Sequence, residues 1–303
     1  MKIVVTGGSG FVGSFIAEEL AKDADCEVII FDIARPDFAL KKNMRYIEGD
    51  VRYYEEVENV VKGAEEVYDI AGVLGTSELM STNVRAVQTN IQGAIHVLEA
   101  CRKQDVKRIF HPTKPNDWLN TYSVTKFAAE QFCLMYQQNY GMSIAVLKWF
   151  NAYGPRQHLY PVRKAVPMFI VQAMYNKPLQ VFGDGLQTVD MIYVEDVARV
   201  ALGATRKLGK IGRILDLGSG IPITVKELAE LIIKHTNSKS KIAYLPMRAG
   251  EPEKSNIAAN VEPLKKHLDV DFTQFDLGIK KTFEYYKNID KEIIEKTFGY
   301  FNI

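Results

Sequence analysis

Two residue types with catalytic potential stand four positions apart in the run Tyr122-Ser123-Val124-Thr125-Lys126. On a helix, side chains at i and i+4 lie on the same face, so this spacing brings a phenol and an ammonium together. A nearby ammonium favours the phenolate and lowers the pKa of tyrosine from its usual value of about 10. Such a tyrosine is a general base for the proton of an alcohol. The same spacing also occurs in exposed surface pairs, so the context has to decide between the two interpretations.

A glycine cluster near the start of the chain supplies that context. The run GGSGFVG at residues 7–13 fits G-x-x-G-x-x-G with Gly7, Gly10 and Gly13, and it also fits G-x-G-x-x-G with Gly8 as the first glycine. Glycines in such a turn let the backbone approach a pyrophosphate, and the following helix faces it with free N–H groups. The run therefore predicts a dinucleotide site between a strand and a helix.

Acidic residues follow the next two predicted strands. Asp32 ends the second strand, near the ~20-residue offset at which a carboxylate binds the adenosine ribose hydroxyls. Because a carboxylate repels a 2′-phosphate, Asp32 predicts NAD rather than NADP. Arg35 lies nearby and either weakens that preference or is a solvated loop residue. Asp50-Val51 follows the third strand, where an adenine edge could be read; alternatively, Asp50 caps the helix that follows.

The elements that must position these residues alternate along the first half of the chain. The apolar runs predict six strands, at Lys2–Thr6, Glu27–Phe31, Arg45–Glu48, Glu66–Ile70, Val106–His111 and Ile144–Trp149. The segments between them predict helices at Phe11–Lys22, Tyr54–Lys62, Asn83–Gln104 and Ser123–Asn139. Strands separated by helices form βαβ units, which predicts an α/β fold with a parallel sheet and helices on both faces.

The second half of the chain is less regular. Four prolines between residues 155 and 178 interrupt it, and we predict helices at Met168–Asn176 and Val225–Lys234 and a strand at Lys241–Leu245. We therefore predict a dinucleotide-binding domain at residues 1–150, which also takes in about 187–210, and a smaller lobe in most of 151–303.

The composition excludes several classes of protein. Of 303 residues, 47% are hydrophobic and 25% are charged, which argues against disorder, collagen and coiled coils. The formal net charge of +1 gives no reason to expect nucleic acid or a membrane surface as partner. No apolar run is long enough to span a bilayer, and the opening strand predicts that no signal peptide is present. Three cysteines without metal-ligand spacing predict a cytoplasmic protein with no metal site.

The motifs described above resemble, in their order, those of the extended short-chain dehydrogenase/reductase family: the glycine run at 7–13, Asp32, Asp50-Val51 and the Tyr122–Lys126 pair. Within it, the chain resembles the NAD-dependent nucleotide-sugar epimerase/dehydratase branch, which includes UDP-glucose 4-epimerases. Three later segments support the resemblance: NAYGPRQ at 151–157, GDGLQTVD at 183–190 and RAGE at 248–251. It implies a Rossmann-type, doubly wound parallel sheet with a smaller α/β C-terminal substrate lobe, and NAD as the cofactor.

The resemblance also assigns roles to residues of the first half. Thr113 would hydrogen-bond the sugar hydroxyl undergoing oxidation, Tyr122 would take its proton, and Lys126 would bind the nicotinamide ribose. His111, in the same strand as Thr113, is expected to serve packing. The resemblance implies further cofactor contacts from Gly7, Gly10, Phe11, Val12, Gly13, Asp32, Asp50, Val51, Ala71, Gly72 and Asn90, in addition to Tyr122 and Lys126.

The second half would bind a nucleotide-diphosphate sugar. The resemblance places Asn151 and Arg248 on the diphosphate, Val181 and Phe182 beside the base, and Glu251 near its ribose. An arginine fork suits phosphate because it donates two parallel hydrogen bonds.

The chain departs from the family pattern in two places. Val189 stands where the family has an arginine, so one phosphate-binding cation is missing unless Arg156, Arg163, Lys164 or Arg248 compensates. The segment between Thr113 and Tyr122 is also short, which predicts a pocket that is more open or is closed differently.

The residues after the triad threonine favour one reaction. The 4,6-dehydratases of this family carry Thr-Asp-Glu there, whereas this chain reads Thr113-Lys114-Pro115, and Asp117 is the only nearby carboxylate. We therefore predict an NAD-dependent C4 epimerase of a UDP-hexose. The alternatives are a nucleotide-sugar 4,6-dehydratase, decarboxylase or keto-reductase, and a non-catalytic NAD-binding protein. The helices at 83–104 and 123–139 have apolar stripes, and in the family such a pair of helices often forms a dimer interface. The resemblance therefore implies a homodimer; alternatively, both stripes face only their own sheet.

Overall fold

The first half of the chain supplies six strands of a seven-stranded parallel sheet, and one strand of the second half completes it. A computed structural model describes residues 1–303, and its sheet has the strand order β10-β6-β5-β4-β1-β2-β3. The central strands are buried on both faces; Ile3, Val4 and Val5 of β1, for example, are inaccessible to solvent. The strands are β1 (Lys2–Thr6), β2 (Glu27–Asp32), β3 (Met44–Glu48), β4 (Glu66–Asp69), β5 (Arg108–Thr113), β6 (Ile144–Trp149) and β10 (Leu215–Leu217).

Helices cover both faces of this sheet and give a Rossmann-like three-layer fold, as predicted. One apolar core joins the sheet to α1 (Phe11–Leu20) and α7 (Val194–Lys207). A second core joins the opposite face to α2 (Tyr54–Val61), α4 (Gly93–Lys103) and α5 (Thr121–Tyr140). All carboxyl ends of the strands meet at one edge, where ligands bind in this architecture.

Two differences from the predicted elements lie near the strand edge that carries Thr113, and the helix predicted at Met168–Asn176 is observed at Ala165–Met174. The helix expected at 83–104 consists of α3 (Asn83–Ala86), a π-helical turn at Val87–Gln92, and α4. The strand expected at 106–111 begins and ends two residues later, because β5 pairs with β6 as far as Thr113 although it contains Pro112. This shift places Thr113 on the sheet itself, at the carboxyl end of β5.

The second lobe has its own apolar core, which includes residues between Tyr153 and Phe298. Two small sheets, β11-β9-β7 and β12-β8, accompany five helices. None of the helices combines the length and the apolar composition that a membrane span requires. The remaining elements are β7 (Asn151–Tyr153), α6 (Ala165–Met174), β8 (Leu179–Phe182), β9 (Thr188–Tyr193), β11 (Pro222–Thr224), α8 (Val225–Thr236), β12 (Ile242–Leu245), α9 (Glu262–Lys265), α10 (Phe275–Lys287) and α11 (Lys291–Phe301).

Candidate active site

The glycine turn between β1 and α1 leaves no room for side chains. Gly7 has a φ of 65°, and a Cβ there would lie 2.7 Å from the backbone nitrogen of Ala71. A Cβ on Gly13 would lie 2.1 Å from the carbonyl oxygen of Gly7. Gly10 is the N-cap of α1 and offers no capping side chain, so Phe11 and Val12 begin the helix with uncapped N–H groups. This cradle fits the pyrophosphate of a dinucleotide.

Asp32 lies against the same turn at the carboxyl end of β2. Its carboxylate accepts hydrogen bonds from the backbone N–H of Ser9, at 3.0 Å, and of Ala34, at 3.1 Å. Burial raises the pKa of this carboxyl group. Arg35 is exposed and forms no ion pair with Asp32, which agrees with a solvated loop residue. The carboxylate is therefore fixed next to the glycine turn, the position that the predicted ribose contact requires.

Asp50 does not cap the following helix. Helix α2 begins at Tyr54, too far along the chain for such a cap, and Asp50 instead accepts a 2.8 Å hydrogen bond from Nε of Arg52. Val51 is buried, and a Cβ on Gly93 would lie 2.7 Å from its Cγ2 atom. The capping alternative is thus wrong, and the side chain of Val51 serves packing between the β3–α2 loop and α4.

Asn90 holds the backbone that follows β4. Its Oδ1 accepts from the N–H of Val73 at 2.8 Å, and its Nδ2 donates to the carbonyl of Val73 and to Oγ1 of Thr125. The N–H of Ala71 donates to Oγ1 of Thr6. Gly72, which lies between Ala71 and Val73, is exposed. Asn90 therefore fixes the Ala71-Gly72 bend and connects it to α5.

Helix α5 carries Tyr122 in its first turn and Lys126 one turn later. Asn120 caps the helix by accepting from the N–H of Ser123 at 2.9 Å. The expected lowering of the Tyr122 pKa is wrong in this structure: burial raises it to about 12. The physical reason is burial of the phenol, while Nζ of Lys126 has Nε2 of His111, at 3.5 Å, as its partner.

A buried polar chain inside the sheet holds that lysine. Oγ1 of Thr6 donates to Asp69 at 3.0 Å, and the other oxygen of Asp69 is 2.9 Å from Nδ1 of His111. Burial, reinforced by the charge of Lys126, lowers the pKa of His111. A neutral imidazole that donates from Nδ1 to Asp69 can accept from the Lys126 ammonium at Nε2. The sequence analysis missed this role of His111 and did not single out Asp69, although both are polar residues near the carboxyl ends of neighbouring buried strands.

Thr113 carries an unpaired hydroxyl. The residue is 3% exposed, and its Oγ1 has no hydrogen-bond partner within the protein. Buried hydroxyls in proteins are nearly always paired, so an unpaired one at the carboxyl edge of a parallel sheet indicates a group that meets a ligand.

The short segment after Thr113 closes over the site. Nζ of Lys114 donates to Oγ of Ser123 at 2.7 Å and lies 5.0 Å from the ring centre of Tyr122. Nδ2 of Asn120 donates to the carbonyl of Gly250, in the second lobe, at 3.1 Å. The segment between Thr113 and Tyr122 is thus tied to the second lobe by this contact. Asp117, in the same segment, is exposed.

Two arginines of the second lobe flank Phe182, and a lysine lies near one of them. The guanidinium carbons of Arg163 and Arg248 each lie 5.3 Å from its ring centre. Arg248 pairs with Glu251, while its Nε is buried without a partner. Lys164 is nearby, and burial together with the charge of Arg248 lowers its pKa to about 8. An anion would be strongly stabilised among these groups.

Other predicted binding residues are placed differently. Arg156 pairs with Glu18 of α1 and covers the ring of Phe15 at 4.0 Å, so it is not free to replace the arginine missing at Val189. Asn151 is exposed, and its Nδ2 donates to the carbonyl of Asp190. The side chain of Val181 is fully buried in the core of the second lobe. Only the backbone of Val181 is therefore suited to line a base.

The comparison with known families is decisive. Residues 3–218 match the model of the NAD dependent epimerase/dehydratase family. The chain belongs to this family. The match covers all seven strands of the large sheet, so the family resemblance and the NAD dependence predicted from the motifs are both confirmed.

Individual relatives cover nearly the whole chain. It is 31% identical to an uncharacterised UDP-glucose epimerase of Bacillus subtilis, over 89% of this chain and 93% of the relative. Its fold matches a UDP-glucose 4-epimerase of Thermotoga maritima solved with UDP-glucose, at a TM-score of 0.86 and 26% identity. The match covers 95% of this chain and 99% of that epimerase. The fold also matches a UDP-glucuronic acid 4-epimerase of Bacillus cereus solved with UDP-glucuronic acid and NAD, at a TM-score of 0.86 and 25% identity, over 95% of this chain and 99% of that one.

Proposed function

We propose that this member of the NAD-dependent family is a nucleotide-sugar epimerase that inverts C4 of a UDP-hexose through a 4-keto intermediate. The observation that carries the proposal is the unpaired Thr113 hydroxyl on β5, combined with Tyr122 and Lys126 on the adjoining helix α5. A lysine and a proline, rather than two carboxylates, follow Thr113. The site therefore holds the groups for oxidising an alcohol, without those expected for eliminating water.

The protein's own residues take one proton from the substrate and later return it. Thr113 would hydrogen-bond the C4 oxygen, and Tyr122 would take the proton of the C4 hydroxyl as a general base. The glycine cradle would hold NAD, which would supply the acceptor and later the donor for the C4 hydride. Tyr122 then gives the proton back to the C4 oxygen. Inversion requires the keto sugar to present its opposite face between the two transfers.

Lys126 and Asp32 would position the cofactor. The Lys126 ammonium, held by His111, is suited to bind the nicotinamide ribose one helical turn from Tyr122. Its positive charge also has to act on Tyr122 in the loaded enzyme, because burial alone leaves the phenol protonated at neutral pH. Asp32 would accept the adenosine ribose hydroxyls next to the glycine turn.

The second lobe would bind the nucleotide diphosphate. Arg248, Lys164 and Arg163 are suited to the phosphates, and Phe182, which both arginines flank, offers a surface for the base. Glu251 is fixed by Arg248 and would lie near the nucleotide ribose. We assign Asn151 to the diphosphate as well, on its position at the start of β7, two residues after the end of β6.

The main alternatives are other reactions of the same intermediate. A 4,6-dehydratase needs an acid and a base at C5 and C6, and the exposed position of Asp117 argues against that residue in either role. A decarboxylase or keto-reductase shares the oxidation machinery, and only its product distinguishes it. A non-catalytic NAD-binding protein would not need the Thr113, Tyr122 and Lys126 set.

Incubation with a panel of UDP-sugars separates these functions. We expect the 4-epimer of one substrate to accumulate to an equilibrium mixture from either side, with no lasting keto-sugar absorbance. A stable keto or pentose product would favour a dehydratase or decarboxylase. NAD binding with no product from any sugar in the panel would favour the non-catalytic function.

We further propose a homodimer formed through α3, the π-helical turn and α5. Val84, Val124 and Phe127 are 72%, 54% and 58% exposed, which is unusual for apolar side chains on neighbouring helices. Light scattering should show a dimer that Phe127→Lys converts to a monomer. Leu277→Lys, at an exposed apolar position on α10, is the matched control and should leave the dimer intact.

The domain division and the compartment are also proposals. Helix α7 packs in the same core as α1, which supports assigning about 187–210 to the dinucleotide-binding domain with 1–150, and most of 151–303 to the substrate lobe. The three cysteines are free and buried, which supports the reducing cytoplasm as the compartment. We propose no nucleic acid or membrane partner, on the balanced charge.

A further inference from the structure

We propose that Lys114 is a substrate-specificity residue whose ammonium binds the carboxylate of a nucleotide hexuronic acid, so that the preferred substrate of this enzyme is an acidic rather than a neutral sugar nucleotide. This proposal rests on the function proposed above, because it places the sugar at Tyr122. It goes beyond that function because one residue of this chain, Lys114, is used to infer which class of sugar binds.

The first observation is the position of the Lys114 ammonium. Nζ donates to Oγ of Ser123 and lies between two rings, 5.0 Å from the centre of Tyr122 and 5.3 Å from that of Trp118. The hydroxyl of Ser123 is itself fixed, because it donates to Oδ1 of the helix cap Asn120. The ammonium is therefore held over the face of the proposed catalytic phenol.

The second observation is that the protein gives this cation no counter-ion. Glu251, the carboxylate that acts on it most strongly, forms its ion pair with Arg248 instead. Burial disfavours the charged form of Lys114, and the nearby charge of Lys164 adds to this effect. An ammonium has three donors and Ser123 takes one of them. A charged group in this environment is strongly stabilised by an anion that arrives with the ligand.

The third observation concerns which part of the ligand that anion belongs to. The second lobe provides Arg163, Lys164 and Arg248 around Phe182, which is a sufficient set of cations for a diphosphate. Lys114 belongs instead to the first lobe and directly follows Thr113. It therefore faces the sugar end of the substrate, where a neutral hexose carries no negative charge.

The connectivity of a hexuronic acid matches this position. Its carboxylate is attached to C5, which is bonded to C4, the carbon that bears the reacting hydroxyl. When that hydroxyl lies on Tyr122, the carboxylate is brought close to the ring that the Lys114 ammonium covers. A primary hydroxyl at the same carbon would offer only a neutral hydrogen bond, which is weaker than a charge-assisted one.

The test is calorimetric binding of UDP, UDP-glucose and UDP-glucuronate to the NAD-saturated enzyme at pH 7. We expect the wild type to bind UDP-glucuronate at least ~10-fold more tightly than UDP-glucose, a typical value for one charge-assisted contact. Lys114→Met should abolish this preference and leave the affinities for UDP and UDP-glucose within about threefold of wild type. Lys114→Arg, which keeps the charge, should retain part of the preference.

Several outcomes would overturn the proposal. Equal wild-type affinity for the two sugar nucleotides would do so, and so would an equal loss for all three ligands in Lys114→Met, which would make Lys114 a phosphate-binding or structural residue. Equal losses of turnover with both sugars and unchanged binding would make it an electrostatic partner of Tyr122 only. If Lys114→Met does not fold, Lys114→Gln gives the same comparison. A uronate preference without C4 inversion of any sugar would refute the proposed function but leave this recognition standing.

Discussion

The Nζ atom of Lys126 lies 3.5 Å from Nε2 of His111, and through His111 it is connected to the buried carboxylate of Asp69. The hydrogen-bond partner of Lys126 is therefore His111 and not Tyr122, the residue that its spacing suggests as partner. Helix α5 carries both Tyr122 and Lys126, while the lysine ammonium is held by His111 of β5, which Asp69 of β4 contacts in turn. The distance between the Lys126 ammonium and the Tyr122 phenol thus depends on how the sheet and helix α5 pack together.

The His111–Asp69 contact should contribute measurably to stability. His111→Phe keeps an aromatic ring but leaves the buried carboxylate of Asp69 without this partner. We expect the free energy of unfolding in urea to fall by about 1–3 kcal/mol, the usual cost of an unsatisfied buried polar group. His267→Phe, at an exposed histidine, is the matched control and should change it by less than about 0.5 kcal/mol. Equal effects of the two substitutions would show that the contact is not stabilising.

Tyr122 should be essential for turnover but not for cofactor binding. Tyr122→Phe removes the hydroxyl that takes the substrate proton and keeps the ring. We expect turnover to fall at least ~10²-fold, the lower range for general acid–base catalysis, with little change in the affinity for NAD. Initial rates and calorimetry measure the two quantities. Near-normal turnover of the variant would make Tyr122 a structural residue.

Asp32 should set the choice between the two nicotinamide cofactors. Its carboxylate is fixed next to the glycine turn and would repel a 2′-phosphate while accepting the ribose hydroxyls. We expect calorimetry to show NAD bound well ahead of NADP, and Asp32→Ala to reduce the difference by weakening NAD. Equal affinities in the wild type would refute this role of Asp32.

Binding of the nucleotide sugar should weaken in mild alkali. The pKa of Lys164, one of the cations proposed for the phosphates, is lowered to about 8, mainly by burial. Its ammonium group is therefore protonated below pH 8 and loses its charge as the pH rises through 8, while the diphosphate stays anionic. We expect the dissociation constant of UDP to rise between pH 7 and pH 9.

A lysine-to-arginine substitution provides the control for this pH dependence. Lys164→Arg keeps its charge at pH 9, because the pKa of arginine is above 12. The rise of the UDP dissociation constant should then be smaller than in the wild type. An identical rise in both proteins would show that Lys164 does not contact the phosphates.

The sequence predicted the dinucleotide cradle well because its requirements are local. Gly7 and Gly13 have to be glycines for reasons of backbone angle and steric space, and both lie in one short turn. The requirements of the six longer strands are also local. They were predicted near their observed bounds because each is an apolar run. The three-residue strand β10 was not predicted, because it becomes a strand only by pairing with β6.

The contacts that define the site chemically could not be predicted. The pairing of His111 with Asp69 depends on the register of two strands that are 42 residues apart in the chain. Lys114 lies in an irregular segment, so no periodicity indicated which way its ammonium points. The alternative that Asp50 caps a helix was wrong because the helix begins later, at Tyr54, and Arg52 is a closer partner for the carboxylate.

The most direct test of the central claim is NMR of the product that the enzyme forms from a UDP-hexose or UDP-hexuronate in D₂O. Epimerisation returns the original hydride to C4 and leaves the C5–H bond intact. We therefore predict reversible inversion at C4 with no deuterium at C5. Deuterium at C5, a 4-keto-6-deoxy product or loss of the C6 carboxylate would contradict the account and would favour a dehydratase or decarboxylase.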